Sequence, residues 1–123
     1  MAPTRRTQLG LAGEQAAAAW LAARGYEILA RNARTRFGEI DLVARQGALV
    51  VFVEVKSRSS AAFGHPAEAV AGRKQRRLAH LAAAFLAGHG LAGSPARFDV
   101  IAVHLDAAGV PRVVDHLPGA FEL

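Results

Sequence analysis

The chain has 123 residues, 52% of them hydrophobic, with no cysteine and a formal net charge of +5 at neutral pH. That length fits one domain, able to bury about two-thirds of its unfolded surface without a disulfide or a structural metal. The missing cysteine excludes disulfides, thiolate metal sites and a cysteine nucleophile, and thirteen arginines among fifteen basic residues point toward phosphate-bearing partners.

Met1 to Gln8 shows no periodic pattern, so residues 1–9 read as a basic flexible tail. Arg5-Arg6 followed by Leu9-Gly10-Leu11-Ala12 resembles the start of a secretory or twin-arginine signal. Glu14 and Gln15 cut that apolar run short of the about 7–15 residues a signal needs. The later run Ala16–Ala23 falls short of the about 20 residues that cross a bilayer. A cytoplasmic chain with no membrane partner is the expectation. From Gly10 to Arg24 the alanine-rich segment predicts a helix that stops at Gly25. Tyr26–Ala30 predicts a first strand running toward Arg31-Asn32-Ala33-Arg34.

Gly38–Ala44 and Ala48–Ser57 read as two apolar strands joined through Gln46-Gly47, an antiparallel hairpin. Side chains two apart in a strand share a face. Glu39 and Asp41 therefore share one, as do Glu54 and Lys56, and the hairpin draws Asp41, Glu54 and Lys56 together. Ser59–Pro66 reads as a loop, followed by a helix over Ala67–Ala87 with Leu78, Leu81, Ala82 and Phe85 on one face. Arg97–Val103 predicts a fourth strand and Val110–Asp115 a fifth, across the turn at Ala107-Ala108-Gly109. The order α-β-β-β-α-β-(β) gives an α/β fold, one mixed sheet flanked by helices over residues 10–123.

Carboxylates in an apolar sheet are costly unless something pairs with them. A hard cation such as Mg²⁺ or Mn²⁺ takes oxygen ligands, usually one or two carboxylates with waters and phosphate oxygens. Asp41 and Glu54 suit that role, with the Val55 carbonyl completing the protein's share. Lys56 is placed to orient or deprotonate an attacking water, and Glu14 reaches in from the first helix. The Glu54-Val55-Lys56 tripeptide taken alone reads more readily as a solvated ion pair. Arg31, Arg34, Arg36 and Arg58 flank the acidic positions as candidate phosphate contacts. Arg73, Lys74, Arg76 and Arg77 form either a second phosphate contact or a plain solvated helix face. Glu39 either supports the metal ligands or pairs with Arg34 or Arg36. The five histidines lack metal-ligand spacing, Trp20 and Phe85 read as core, and Asp99 as a structural hydrogen-bonding group.

The motifs Gly13-Glu14-Gln15-Ala16-Ala17, Gly25-Tyr26, Arg31-Asn32-Ala33-Arg34, Gly38-Glu39-Ile40-Asp41-Leu42, Phe52-Val53-Glu54-Val55-Lys56 and Phe63-Gly64-His65-Pro66 follow one another in order. With Lys74, Arg77-Leu78 and Arg97-Phe98-Asp99-Val100, this set resembles the YraN family of small bacterial proteins from Gly10 to about Val103. That family resembles the PD-(D/E)xK nucleases, including archaeal Holliday-junction resolvases. The resemblance implies a restriction-endonuclease-like core that uses Mg²⁺ (or Mn²⁺) to cut DNA phosphodiester bonds. It matches Asp41 to the first metal-binding aspartate, Glu54 and Lys56 to the (D/E)xK pair, Glu14 to the acidic residue of the first helix, and Lys74 to a position near the site. The proline of the superfamily name is absent, with Glu39-Ile40 standing before Asp41. The alternative is a non-catalytic nucleic-acid-binding protein of the same fold; a third reading is an adaptor whose carboxylates merely pair with arginines. Junction-cutting relatives act as dimers, and an exposed apolar edge on the third strand or the Phe63 loop would permit a homodimer.

Overall fold

The period-two runs pair into one sheet, and the two apolar helical stripes cover its faces. The structure, a computed structural model, describes the backbone of residues 5–59 and 72–121 and the side chains within 10–59 and 74–120. Its elements are α1 (Arg5–Ala22), β1 (Glu27–Thr35), β2 (Gly38–Gln46), β3 (Leu49–Arg58), α2 (Gly72–Gly88), β4 (Ala96–Leu105) and β5 (Pro111–Phe121). The five strands lie in the sheet in chain order. Every neighbouring pair is antiparallel except β3 and β4, which are parallel and joined through α2. Parallel strands need such a crossover, and this one lays α2 over the sheet.

β3 is buried on both faces, as the nearly continuous run Val50-Val51-Phe52-Val53 requires. Val50 and Phe52 join Leu78, Leu81 and Phe85 of α2, with Phe98 and Val100 of β4. Phe52 stacks on Phe98 and meets Phe85 edge-on. On the other face Val51 and Val53 join Ala17, Ala18 and Leu21 of α1, with Ile101 and Val103 of β4.

Several boundaries differ from the sequence reading. α1 begins at Arg5, so Arg5–Leu9 are helical backbone where an irregular tail was expected. Arginine, glutamine and leucine are good helix formers, and they extend the alanine-rich run backward. α1 ends at Ala22, two residues before Arg24, and Gly25 follows at φ +88. β1 runs on to Thr35 and β5 to Phe121. β5 survives Pro118-Gly119 because its pairing with β4 is interrupted by register shifts, and an edge strand tolerates a missing donor. β3 is flanked by β2 and β4 over Leu49–Val53, so that stretch has no free edge for a second copy; the outer strands of the sheet are β1 and β5. The Phe63 loop and the helical turns expected over 67–71 lie outside the described residues. Among the described residues no helix is long and apolar enough to cross a membrane.

Among the described residues, the one fully buried ionisable side chain is Asp99, on the α1 face of β4. It accepts hydrogen bonds from Arg97 Nε (2.8 Å) and Nη2 (2.9 Å), His116 Nε2 (2.7 Å) and the Gly119 N–H (3.0 Å). Arg97 Nη2 also donates to Tyr26 Oη at 2.9 Å, which ties in the turn after α1. These bonds hold the Arg97 guanidinium charged, raising its pKa beyond its already high value. The structural role expected for Asp99 is what the geometry shows, with more partners than its sequence context suggested.

Candidate active site

The sheet opens where β2 and β3 part. Their pairing runs from Gln46↔Leu49 to Leu42↔Val53. Beyond that, β2 stays with β1 as far as Thr35↔Gly38, while β3 stays with β4 as far as Arg58↔His104. Asp41 stands at this fork, and its Oδ2 accepts the Val55 N–H at 2.7 Å in place of a backbone partner. In an extended strand one residue's N–H and C=O face the same neighbour, so the Val55 carbonyl looks onto the fork as well.

Glu54 and Lys56 share the α2 face of β3, with Lys56 Nζ 3.7 Å from Glu54 Oε1. Lys74 of α2 makes a close ion pair with the same oxygen. Glu54 Oε2 is buried and has no hydrogen-bond partner among the described residues. Burial pushes the Asp41 carboxyl above its ordinary pKa; Glu54 and Glu39 add to the rise, against the Val55 N–H and Lys56.

Glu14 approaches from α1. Burial raises its pKa, and the Asp41 charge raises it further; a hydrogen bond from the Asn32 side chain and the charge of Arg31 oppose this. Asn32 stands in β1 at φ +52, a left-handed conformation that asparagine tolerates better than most residues. The close approach of α1 depends on Gly13, where a Cβ would lie 1.8 Å from Ser57 Oγ and 3.0 Å from Ser57 Cβ. Gly13→Ala is expected to destabilise the chain by about 1–3 kcal/mol by overpacking. Urea unfolding checks this: Ser57→Gly in the same chain should recover part of the loss, and an unchanged midpoint would refute the contact.

The oxygen donors at the fork suit a hard cation. Asp41 and Glu54 are near enough to act on each other's charge, and Glu54 Oε2 is buried without a hydrogen-bond partner among the described residues, beside the main chain of Val55. Among the described residues no three acidic or histidine side chains gather round one point; the donors that could serve a cation here are the Asp41 and Glu54 carboxylates and the Val55 carbonyl. That suits Mg²⁺, which usually keeps several waters and takes few carboxylates. Glu14 stands beside this pair rather than within it.

The basic candidates are placed unevenly. Arg31 is exposed and close enough to Glu14 to act on its charge. Arg34 pairs with Glu39 at 2.9 Å, which decides between the two partners considered for Glu39. The Arg36 guanidinium lies over the Phe37 ring, 4.8 Å from its centroid, and Phe37 stacks on His80 of α2 at 5.3 Å. Arg77 lies against Gly38, so α2 and the β1–β2 turn present one basic surface beside the fork. Arg58 is exposed and donates to the Ser57 carbonyl at 2.9 Å. The Arg73 side chain lies outside the described residues. Sequence reasoning missed Asn32 as a partner of Glu14; an asparagine inside an otherwise extended run was the available signal.

The model of uncharacterised protein family UPF0102 matches residues 13–103. A UPF0102 protein of Moorella thermoacetica is 54% identical over 121 residues, covering 98% of this chain and 100% of the relative. One from Anaeromyxobacter dehalogenans is 52% identical over 117 residues, covering 95% of this chain and 86% of the relative. One from Symbiobacterium thermophilum is 56% identical over 96 residues, covering 78% and 81%. Among solved structures, SfsA of Pyrococcus furiosus in complex with Ca²⁺ aligns at a TM-score of 0.43 and 16% identity. That alignment covers 89% of this chain, which spans 63% of the SfsA chain. The motif series from Gly13 to Val103 is thus that of the YraN family, and the chain belongs to uncharacterised protein family UPF0102.

Proposed function

We propose that the protein is a metal-dependent endonuclease that hydrolyses DNA phosphodiester bonds in the cytoplasm, with branched recombination or repair intermediates as the substrate class. The observation behind this reading is the β2–β3 fork, where Asp41 and Glu54 act on each other's charge, Glu54 keeps a buried oxygen without a partner among the described residues, and Lys56 stands beside it.

Asp41, Glu54 and the Val55 carbonyl would hold Mg²⁺ or Mn²⁺. The ion supplies, when bound, a Lewis acid for the phosphate oxygen and a lowered pKa for water. Lys56 orients the attacking water and neutralises charge that develops on the phosphate. Glu14, steadied by Asn32, adds an acceptor on the α1 side of Asp41. In the reaction a water oxygen bonds to phosphorus as the bond to the 3′-oxygen breaks. One water proton leaves to solvent, and the departing 3′-oxygen takes a proton from solvent to become a hydroxyl. Arg31, Arg36, Arg58, Arg73 and Arg77 would hold the flanking phosphates, with Arg34 available once it leaves Glu39.

The test is cleavage of labelled single-stranded, duplex, flap and four-way-junction DNA with Mg²⁺ or Mn²⁺, for the wild type, Glu54→Ala and Lys56→Ala. Metal-dependent cutting by the wild type, lost in both variants, is expected. Binding without cutting on any substrate would instead identify a non-catalytic nucleic-acid-binding protein.

A further inference from the structure

We propose that Lys74 is an internal counter-ion that occupies Glu54 until nucleic acid arrives, so that metal and nucleic acid bind the fork cooperatively. This rests on the metal-dependent reading above. Glu54 Oε1 faces two ammonium groups, Lys74 in a close pair and Lys56 at 3.7 Å, while Oε2 is buried without a partner among the described residues. The Glu54 charge is therefore already offset by Lys56 and Lys74 before any ligand binds. A divalent cation on Glu54 would lie against both ammonium groups.

Lys56 remains beside Glu54, two residues along on the same strand face, where the proposed reaction uses its charge. Lys74 can: it comes from a different element, α2, and its flexible stem ends in a compact charge able to exchange one oxygen partner for another. A phosphodiester at the fork supplies that second partner, on the same basic surface where Arg77 and Arg36 lie. As Lys74 moves from carboxylate to phosphate, Glu54 is released for the cation. Binding of either ligand then favours the other by the same factor.

Mn²⁺ affinity measured by electron paramagnetic resonance tests this without cleavage. Lys74→Gln, which removes the charge, is expected to bind Mn²⁺ about tenfold more tightly than the wild type in the absence of DNA. Lys74→Arg, which keeps the charge, should match the wild type. The reciprocal measurement is anisotropy of a labelled DNA duplex with and without Ca²⁺. Ca²⁺ should tighten binding about tenfold in the wild type and markedly less in Lys74→Gln. Equal or weaker Mn²⁺ binding by a folded Lys74→Gln would overturn the proposal. If that variant does not fold, absence of Ca²⁺ coupling in the wild type overturns it instead. Asp41→Ala is the separate control. Mn²⁺ binding unaffected by that change would place the ion elsewhere, and the metal reading of the fork would fail, taking the proposal with it.

Discussion

Asp41→Asn is expected to abolish cleavage while raising the melting temperature of the metal-free protein. On the proposed metal-dependent reading, the first effect follows from the loss of a charged ligand at the fork. If the cation stabilises the transition state by about 4 kcal/mol, its loss slows the reaction about a thousandfold. The second follows from burial. Asp41 has its pKa raised above the ordinary 3.8, chiefly by desolvation, so its ionised form is disfavoured in the folded state. Such a group favours folding only while protonated. The benefit is present below the unfolded value and is lost as pH climbs through the raised folded value, so at neutral pH the ionised carboxylate is a full liability. Asparagine removes the charge, and its side-chain oxygen still accepts the Val55 N–H, leaving the local geometry in place. About 1 kcal/mol recovered corresponds to a rise of about 2–5 °C for a chain of this size. The gap between the two proteins should narrow as pH falls toward 3.8. Thermal unfolding in a chelating buffer measures it. Added Mn²⁺ should then reverse the order, because a ligand at a hundred times its Kd adds about 2.7 kcal/mol to the wild type alone. A variant that melts lower in the absence of metal, or that still cuts DNA, would refute this account of Asp41.

A stable site residue with a destabilising charge is what a functional position in an otherwise consistent fold should look like. That inconsistency is also why the fork was legible in the sequence. The alternation Glu39-x-Asp41 and Glu54-x-Lys56 inside apolar runs sets strand, face and hairpin at once, because the period of two is strict and each of these strands buries both of its faces over much of its length. Gly13 held a signal that the sequence reading did not use: a glycine within an alanine-rich helix marks a close approach, here to Ser57. What the sequence does not encode locally is which helix residue crosses which strand residue. Lys74 and Glu54 are 20 positions apart, and only the crossover that lays α2 over β3 makes them partners. The true length of β5 was hidden for a different reason. Pro118-Gly119 reads as a stop in isolation, whereas at a sheet edge with irregular register it merely bends the strand.

The second large effect lies away from the fork. Asp99→Ala is expected to destabilise the protein by about 3–5 kcal/mol, the usual consequence of removing one partner from a buried charged pair. The aspartate side chain is wholly buried, and its two oxygens accept four hydrogen bonds from three residues. Deletion leaves the Arg97 guanidinium, the His116 ring N–H and the Gly119 N–H without that acceptor. The ring proton can be assigned from the other side of the imidazole. Trp20 Nε1 can only donate, and it points at His116 Nδ1 from 3.4 Å, so the hydrogen of the neutral ring sits on Nε2 and is given to Asp99. Asp99→Asn therefore does not restore the network. Its amide turns an N–H toward a donor on one side or the other, so a loss of about 1–3 kcal/mol remains. Two of the three residues that bond to Asp99 belong to β5, and Arg97 reaches Tyr26 at 2.9 Å, so the damage should appear first as accelerated hydrogen exchange along β5 and beside Tyr26. Denaturant unfolding with exchange read residue by residue checks both statements. Because this network lies on the α1 face, at the level where Asp99 pairs with Val53, Mn²⁺ affinity should be unchanged wherever the variant is still folded. A loss below about 1 kcal/mol, or a parallel loss of Mn²⁺ binding in the folded variant, would mean that the two polar centres of this fold are coupled rather than separate.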